Sequence, residues 1–282
     1  MSLKITFLSE VLALIVICFM IALVISSCKS KNKVGEIKTL SSNLKTGVYL
    51  EEIFKTNNGD LPYRILYPEG FDQTEKYPLL LFLHGAGERG DDNKSQLTHG
   101  GELIKKGMNI HQSIAIFPQC PKDNYWIELL KTEDRPDGVR DFEPDVNNPP
   151  SEAMSKVIDL LTAYMETSYV DKSRIYVAGL SMGGMGTFDL CWRMPDVFAA
   201  ANAVCGAGSP VKAFKFVNMP IRIFHGEDDE VVSVDESLEM IAALEELGGN
   251  PEAFIYPEVN HNSWDNAFAE PDFLSWLYKH KK

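Results

Sequence analysis

The sequence places one serine between two glycines, each two positions away. Ile175-Tyr176-Val177-Ala178-Gly179-Leu180-Ser181-Met182-Gly183-Gly184 is an apolar run that leads into G-x-S-x-G and then into a helical pattern. A chain that turns sharply from strand to helix around a serine needs small residues at those two positions. Larger side chains there would collide with the neighbouring strand and helix, and the hydroxyl is left exposed at the helix N-terminus. A structural glycine turn would share the spacing, but the strand before and the helix after favour a nucleophile at Ser181. A serine hydroxyl at its ordinary pKa is a poor nucleophile, so Ser181 requires a base and a group that orients the base.

On α/β scaffolds of this kind the acid and then the base follow the serine along the chain. His84, His99 and His111 precede Ser181, and His225 has no acid-bearing strand end between it and the serine. His280 sits in Lys279-His280-Lys281-Lys282, on what should be an exposed helix end. His261 follows an apolar strand, Ala253 to Tyr256, after a short loop, and is the expected base. The acid should lie beyond the strand Ile221 to Phe224, among Glu227, Asp228, Asp229 and Glu230. Val231 and Val232 look like the anchor of the next packed segment. That places Asp229 with least freedom and makes it the choice, with Asp228 the alternative. The oxyanion of a tetrahedral intermediate needs donors. The glycine-rich His84-Gly85-Ala86-Gly87-Glu88-Arg89-Gly90 follows the strand Leu79 to Leu83, so the expected donors are the backbone N–H groups of Ala86 and Met182. An ordinary strand-to-helix turn is the competing reading of that loop.

These residues must be held by an alternating framework. Leu79 to Leu83, Ile114 to Phe117, Ile175 to Ala178, Ala199 to Val204, Ile221 to Phe224 and Ala253 to Tyr256 are short apolar runs without polar alternation, as strands covered on both faces require. Helical patterns fall at Glu152 to Tyr169, Gly184 to Met194, Val234 to Leu247 and Phe273 to Lys281. The expected fold is a mostly parallel α/β sheet with helices on both faces. Val48 to Phe54 and Pro62 to Tyr67, joined by Asn57-Asn58-Gly59-Asp60, precede it as an antiparallel hairpin. The catalytic domain should span residues 47–282. Within it, residues 119–150 are mostly charged, Pro and Asn, and read as a solvated insertion bordering the active site. Their acidic cluster lacks the EF-hand loop pattern of a calcium site.

The first 27 residues read as export machinery. Val11 to Ile25 is an unbroken run of 15 apolar residues, short for a membrane span and suited to a signal peptide. It ends in Ile25-Ser26-Ser27-Cys28, which resembles a bacterial lipobox, so residues 1–27 are expected to be a lipoprotein signal and Cys28 the lipidated residue. An uncleaved anchor, or a plain signal with an incidental cysteine, are the alternatives. Residues 28–46 are rich in Lys, Ser and Asn and read as a flexible tether. Lys29 rather than Asp after Cys28 resembles the pattern that some bacterial lipoproteins use for outer-membrane sorting, so the expected location is the cell envelope at the outer membrane. The formal charge of −13 belongs to the exported part and has the wrong sign for a nucleic-acid partner. Cys120, Cys191 and Cys205 remain after the signal and Cys28 are set aside; an odd number leaves at least one unpaired, and all three read as small core residues. No Cys or His spacing suggests a metal, and no cofactor is required.

Together, His84-Gly85-Ala86-Gly87-Glu88-Arg89-Gly90, Phe117-Pro118-Gln119-Cys120-Pro121, Gly179-Leu180-Ser181-Met182-Gly183-Gly184, His225-Gly226-x-x-Asp229-x-Val231-Val232 and His261-Asn262-Ser263-Trp264 resemble bacterial α/β-hydrolases. The group is that of esterases related to feruloyl and acetyl-xylan esterases and polyhydroxybutyrate depolymerases, sometimes labelled "predicted peptidase". The resemblance covers about residues 47–282. It implies an α/β-hydrolase fold, a Ser181, Asp229 and His261 triad, in preference to Asp228, and a small-molecule or polysaccharide-linked ester as substrate. Trp126 and Trp264 are candidates for an aromatic substrate wall, and Gln119 for a hydrogen bond in the site. Glu88 and Arg89 are expected to brace the oxyanion loop. The alternatives to a serine esterase are a serine peptidase of prolyl-oligopeptidase type and an inactive binding lipoprotein.

Overall fold

The computed structural model describes residues 35, 37, 40, 44–134 and 140–282. The expected signal peptide and Cys28 lie outside the described residues. Ten strands are found among them: β1 (Tyr49–Thr56), β2 (Gly59–Leu66), β3 (Tyr77–Leu83), β4 (Ile114–Pro118), β5 (Leu129–Asp134), β6 (Arg140–Pro144), β7 (Val170–Leu180), β8 (Ala200–Val204), β9 (Ile221–Gly226) and β10 (Glu252–Tyr256). The helices are α1 (Gly101–His111), α2 (Glu152–Met165), α3 (Met182–Arg193), α4 (Val234–Glu246), α5 (Trp264–Ala269) and α6 (Phe273–Lys279).

Eight strands form one sheet in the order β1-β2-β4-β3-β7-β8-β9-β10. The β1–β2 hairpin is antiparallel and β2 joins β4 antiparallel; from β4 to β10 every pairing is parallel. The two faces follow the strand period of two. Leu79, Leu81, Leu83, Ile175, Val177, Ala201, Ala203, Ile221 and Ile223 point to one face, where α2, α3 and α4 cover them with Met154, Leu160, Phe188 and Met240. Leu80, Phe82, Tyr176, Ala178, Leu180, Ala200 and Phe224 point to the other, under Ile104 and Met108 of α1 and Phe273, Trp276 and Leu277 of α6. This is the α/β-hydrolase architecture expected, with the N-terminal hairpin in place.

The structure corrects the expected elements in several places. The strand read at Ile175 begins at Val170, which pairs with Tyr77 before a register shift that carries Asp171, Lys172 and Ser173, the residues that interrupt the apolar pattern. The first helix, α1, has no counterpart in the expected elements. It carries Gly101 and Gly107 and buries only a narrow stripe, Ile104 and Met108, while Ile110 is exposed. Gly107 lets Leu274 of α6 pack close: a Cβ there would lie 2.5 Å from Leu274 Cδ1, so that side chain would have to move. The 119–150 segment is not a solvated loop throughout. β5 and β6 pair antiparallel as a separate small sheet, and Trp126, Ile127 and Phe142 are buried. Most of the expected tether, residues 28–46, lies outside the described residues; of those described, Ile37, Leu40 and Leu44 pack against the core. His280 is not on a free helix end either; its ring packs edge-on against Trp276 at 4.5 Å.

Candidate active site

Order in the sheet decides where the site forms. The chain runs outward from β3 to β4 on one side and from β7 to β10 on the other, so the topological switch falls between β3 and β7. Loops leaving the carboxyl ends of adjacent strands meet there. β3 feeds the glycine-rich loop, β7 feeds Ser181, β9 the acidic segment and β10 the His261 loop.

Ser181 sits in the turn between β7 and α3 with φ +52° and ψ −120°, a conformation rarely adopted by a residue with a side chain. The strain is held from several sides. Ser181 N donates to Val204 O at 2.8 Å, and Ser181 O accepts from Met185 N at 3.0 Å. The flanking glycines are sterically required: a Cβ on Gly179 would run into Gly183 O, and one on Gly183 into Leu83 O.

The three candidate residues come together. Ser181 Oγ donates to His261 Nε2 at 2.9 Å, and His261 Nδ1 donates to Asp229 Oδ2 at 2.7 Å. Of the four adjacent carboxylates only Asp229 is buried; Glu227, Asp228 and Glu230 are exposed. Asp229 Oδ1 accepts from the backbone N–H groups of Val231 and Val232 at 2.8 and 2.9 Å, so the anchor expected from those valines is a pair of hydrogen bonds. Burial alone would raise the Asp229 carboxyl. Hydrogen bonds from His225 and His261, the charge on His261 and the Val232 N–H outweigh it and hold the group below the usual carboxylate range. The acid and base loops are also stitched together. Asp228 N donates to Val259 O, and Asn260 Oδ1 accepts from both Glu230 N and His261 N.

His225 is the residue that sequence reasoning missed. It is fully buried, and its Nε2 faces Asp229 Oδ2 at 3.1 Å and Val232 O at 3.0 Å, while its Nδ1 lies 2.7 Å from Ser237 Oγ. The Val232 carbonyl only accepts, so the proton is on Nε2, which also donates to Asp229, and Ser237 donates to Nδ1. His225 thus takes up the lone pair of the acid that His261 leaves. The signal was present in His225-x-x-x-Asp229, but the serine-acid-base order removed His225 as a base without asking what else it does.

The glycine-rich loop is held by side chains that serve its backbone. His84 Nε2 accepts from Cys120 N at 3.0 Å, which puts the proton on Nδ1, where it donates to Gly85 O at 2.6 Å. Burial, against the opposing hydrogen bond to Gly85, lowers the His84 pKa to about 4. Arg89 donates to Ala86 O and Asn124 O. Ala86 opens a short 3₁₀ turn and Met182 opens α3, so both lie where first-turn N–H groups lack helical acceptors.

Two expected substrate residues are corrected. Trp126 is fully buried and donates from Nε1 to His84 O at 3.0 Å; it packs behind the glycine-rich loop and forms no substrate wall. Gln119 is fully buried too, accepting from Asn93 N and donating to Glu88 O and Asp92 Oδ1. Trp264 remains at the site, half-buried and edge-on to His261 at 5.4 Å. The insertion reaches the same neighbourhood through Ile127 and Phe142, which pack with Met185, Ala207 and Val232.

Cys205 Sγ, an Asp229 oxygen and a His261 nitrogen lie within 4.8 Å of one another, the one described group with metal-ligating side chains. Asp229 already accepts four N–H bonds, and burial pushes the Cys205 thiol far up, so these donors suit a hydrogen-bonded triad better than an ion. Cys120, Cys191 and Cys205 are all unpaired and buried.

A strained serine at a strand-to-helix turn, backed by an imidazole and a buried carboxylate at the sheet's carboxyl edge, defines an α/β-hydrolase. The chain belongs to the phospholipase/carboxylesterase family, whose model matches residues 72–280. It is similar to a poly(3-hydroxyalkanoate) depolymerase C from Paucimonas lemoignei, 29% identical over 161 residues, covering 56% of this chain and 34% of the depolymerase. Among solved structures it resembles a thermostable esterase with a TM-score of 0.73 and 31% identity, over 83% of this chain and 63% of that one. A ferulic acid esterase from Anaeromyces mucronatus shares the fold, with a TM-score of 0.59 and 16% identity over 89% of this chain and 96% of that one. The chain therefore spans about a third of the curated depolymerase that it matches.

Two outcomes follow from the geometry. Replacing His225 with Asn removes a hydrogen bond to a charged group, worth roughly 1.5–3 kcal/mol, so kcat on p-nitrophenyl acetate should fall by about 10- to 100-fold while KM stays within about twofold. A KM rise without a kcat loss would assign His225 elsewhere. The second concerns His84. An unfolded chain takes up this proton near pH 6.5 and the folded one only near 4, so stability is complete above that range and is lost as pH falls through it. The loss approaches about 3 kcal/mol, and melting curves from pH 7 to 4 should show a smaller drop in His84→Gln.

Proposed function

We propose that the chain is a carboxylic ester hydrolase working through an acyl-enzyme on Ser181. The observation that carries this reading is the unbroken series of hydrogen bonds from Ser181 Oγ through His261 to Asp229. His261 takes the serine proton as Oγ attacks the ester carbonyl, and the Ala86 and Met182 N–H groups receive the oxyanion. The base then returns the proton to the leaving alcohol, and water attacks the acyl-enzyme by the reverse path. Asp229 keeps the imidazole in the required tautomer and stabilises its charged form. Acyl groups carried on polysaccharides are the finer substrate reading. Membership of the carboxylesterase family and similarity to esterases support ester rather than peptide cleavage. Ser181→Ala should abolish turnover of p-nitrophenyl acetate and labelling by a fluorophosphonate while leaving the melting temperature within a few degrees. Full turnover in that variant would refute the nucleophile.

The export reading joins this proposal. A diacylated Cys28 would hold the enzyme at a membrane of the cell envelope, since two chains anchor stably where one does not. Expressed as the full chain in bacteria, the protein should sediment with membranes, and Cys28→Ala should move it to the soluble fraction. Continued membrane association of that variant would argue for an uncleaved anchor.

A further inference from the structure

Next to the nucleophile the side chains close into a ring. A Cβ built on Gly85 would lie 3.6 Å from Ser181 Cβ and 3.1 Å from Glu88 Oε2, so the Glu88 carboxylate and the serine both border Gly85. Glu88 Oε1 lies 3.7 Å from His99 Nε2. The His99 ring is 5.2 Å from Trp264, tilted at 50°, and Trp264 meets the His261 ring edge-on at 5.4 Å. His261 returns to Ser181 through the 2.9 Å hydrogen bond. Successive contacts thus run from Glu88 through His99 and Trp264 to His261 and Ser181, beside the reacting centre.

Chemistry assigns that side. His261 must hand its proton to the departing oxygen, so the alcohol half of an ester lies on the imidazole side, against Trp264. Its charge environment is set by Glu88, whose side chain is only 13% exposed. The neighbouring Arg89 is turned away, donating to Ala86 O and Asn124 O and lying over the Tyr125 ring. His99 is thus the basic group beside the carboxylate. A largely buried carboxylate repels an anion and attracts a cation, and the Trp264 ring packed against His99 adds an aromatic surface on which a cation can rest.

We propose that Glu88, His99 and Trp264 form the leaving-group subsite and that Glu88 selects alcohols by charge, favouring a cationic alcohol over its uncharged isostere and that isostere over an anionic one. This rests on the acyl-enzyme reading above. At separations of several ångströms and protein-like screening, each step in charge changes kcat/KM by about tenfold.

The test uses three acetates with one acyl group: acetylcholine, its uncharged isostere 3,3-dimethylbutyl acetate, and the anionic 4-acetoxybutyrate. Wild type should rank them in that order with about tenfold between neighbours, and Glu88→Gln should compress the cation-to-anion ratio by at least tenfold. Trp264→Ala should weaken acetylcholine more than 3,3-dimethylbutyl acetate. Equal rates for the three esters in wild type, or an unchanged ratio in Glu88→Gln, overturn the charge selection while p-nitrophenyl acetate turnover leaves the hydrolase reading standing. If wild type does not turn over p-nitrophenyl acetate at all, both readings fall together.

Discussion

A carboxylate kept ionised out of water must have its oxygens taken up by donors, and Asp229 is where this chain meets that demand. Two donors are backbone N–H groups on its own loop and two are imidazoles, one on the next loop and one on the preceding strand. Four bonds in different directions leave the carboxylate no freedom to rotate, and the position of His261 follows from it. Asp228 does not take this place, since its side chain is exposed. The support extends one residue further. Ser237, in the first turns of α4, fixes the tautomer of His225, so a helix on one face of the sheet takes part in orienting a base above its edge.

The same economy explains the close approaches at the carboxyl edge. Gly179 and Gly183 let α3 sit against the ends of β3 and β7, and Gly226 admits Val259 O against the end of β9. Without them the three loops would stand too far apart for hydrogen bonds of under 3 Å between residues 80 and 32 positions apart in the chain. The positive φ at Ser181 is sustained by this packing, with bonds to β8 on one side and to α3 on the other. Strain of that kind, of order 1–3 kcal/mol, persists only where the surroundings over-determine the backbone.

How much of this was legible depended on whether one residue pattern carried the information. The buried parallel strands were legible because a strand covered on both faces has to be apolar throughout, and Leu79 to Leu83 is such a run of strand length, too short for a helix. Helix α1 was not, because its buried stripe is two residues wide and its glycines argue against a helix until Leu274 is known to lie on top of Gly107. The β5–β6 pair was hidden for a related reason. Its residues alternate around charged side chains, and a small sheet that buries Phe142 against Met185 and Val232 needs few apolar positions to hold it. The spacing that named Ser181 is a steric requirement of one turn, legible locally. The role of His225 depends on a contact with Asp229 and one with Ser237 that only the folded strand order brings about.

The misreading of Trp126 and Gln119 has a common physical source. A loop that offers backbone N–H groups to a substrate must have those groups fixed, and glycines supply close approach without supplying rigidity. Rigidity therefore has to come from side chains that bond to the loop's other backbone atoms. Trp126 takes His84 O, Arg89 takes Ala86 O, Gln119 takes Glu88 O, and His84 bridges Gly85 O to Cys120 N. Large polar residues near an oxyanion loop are thus drawn to its backbone before any is free for substrate. Glu88 differs from the others, because its backbone is held while its carboxylate bonds to nothing in the loop and faces His99 instead. A side chain left out of that bracing is the one available to discriminate between substrates.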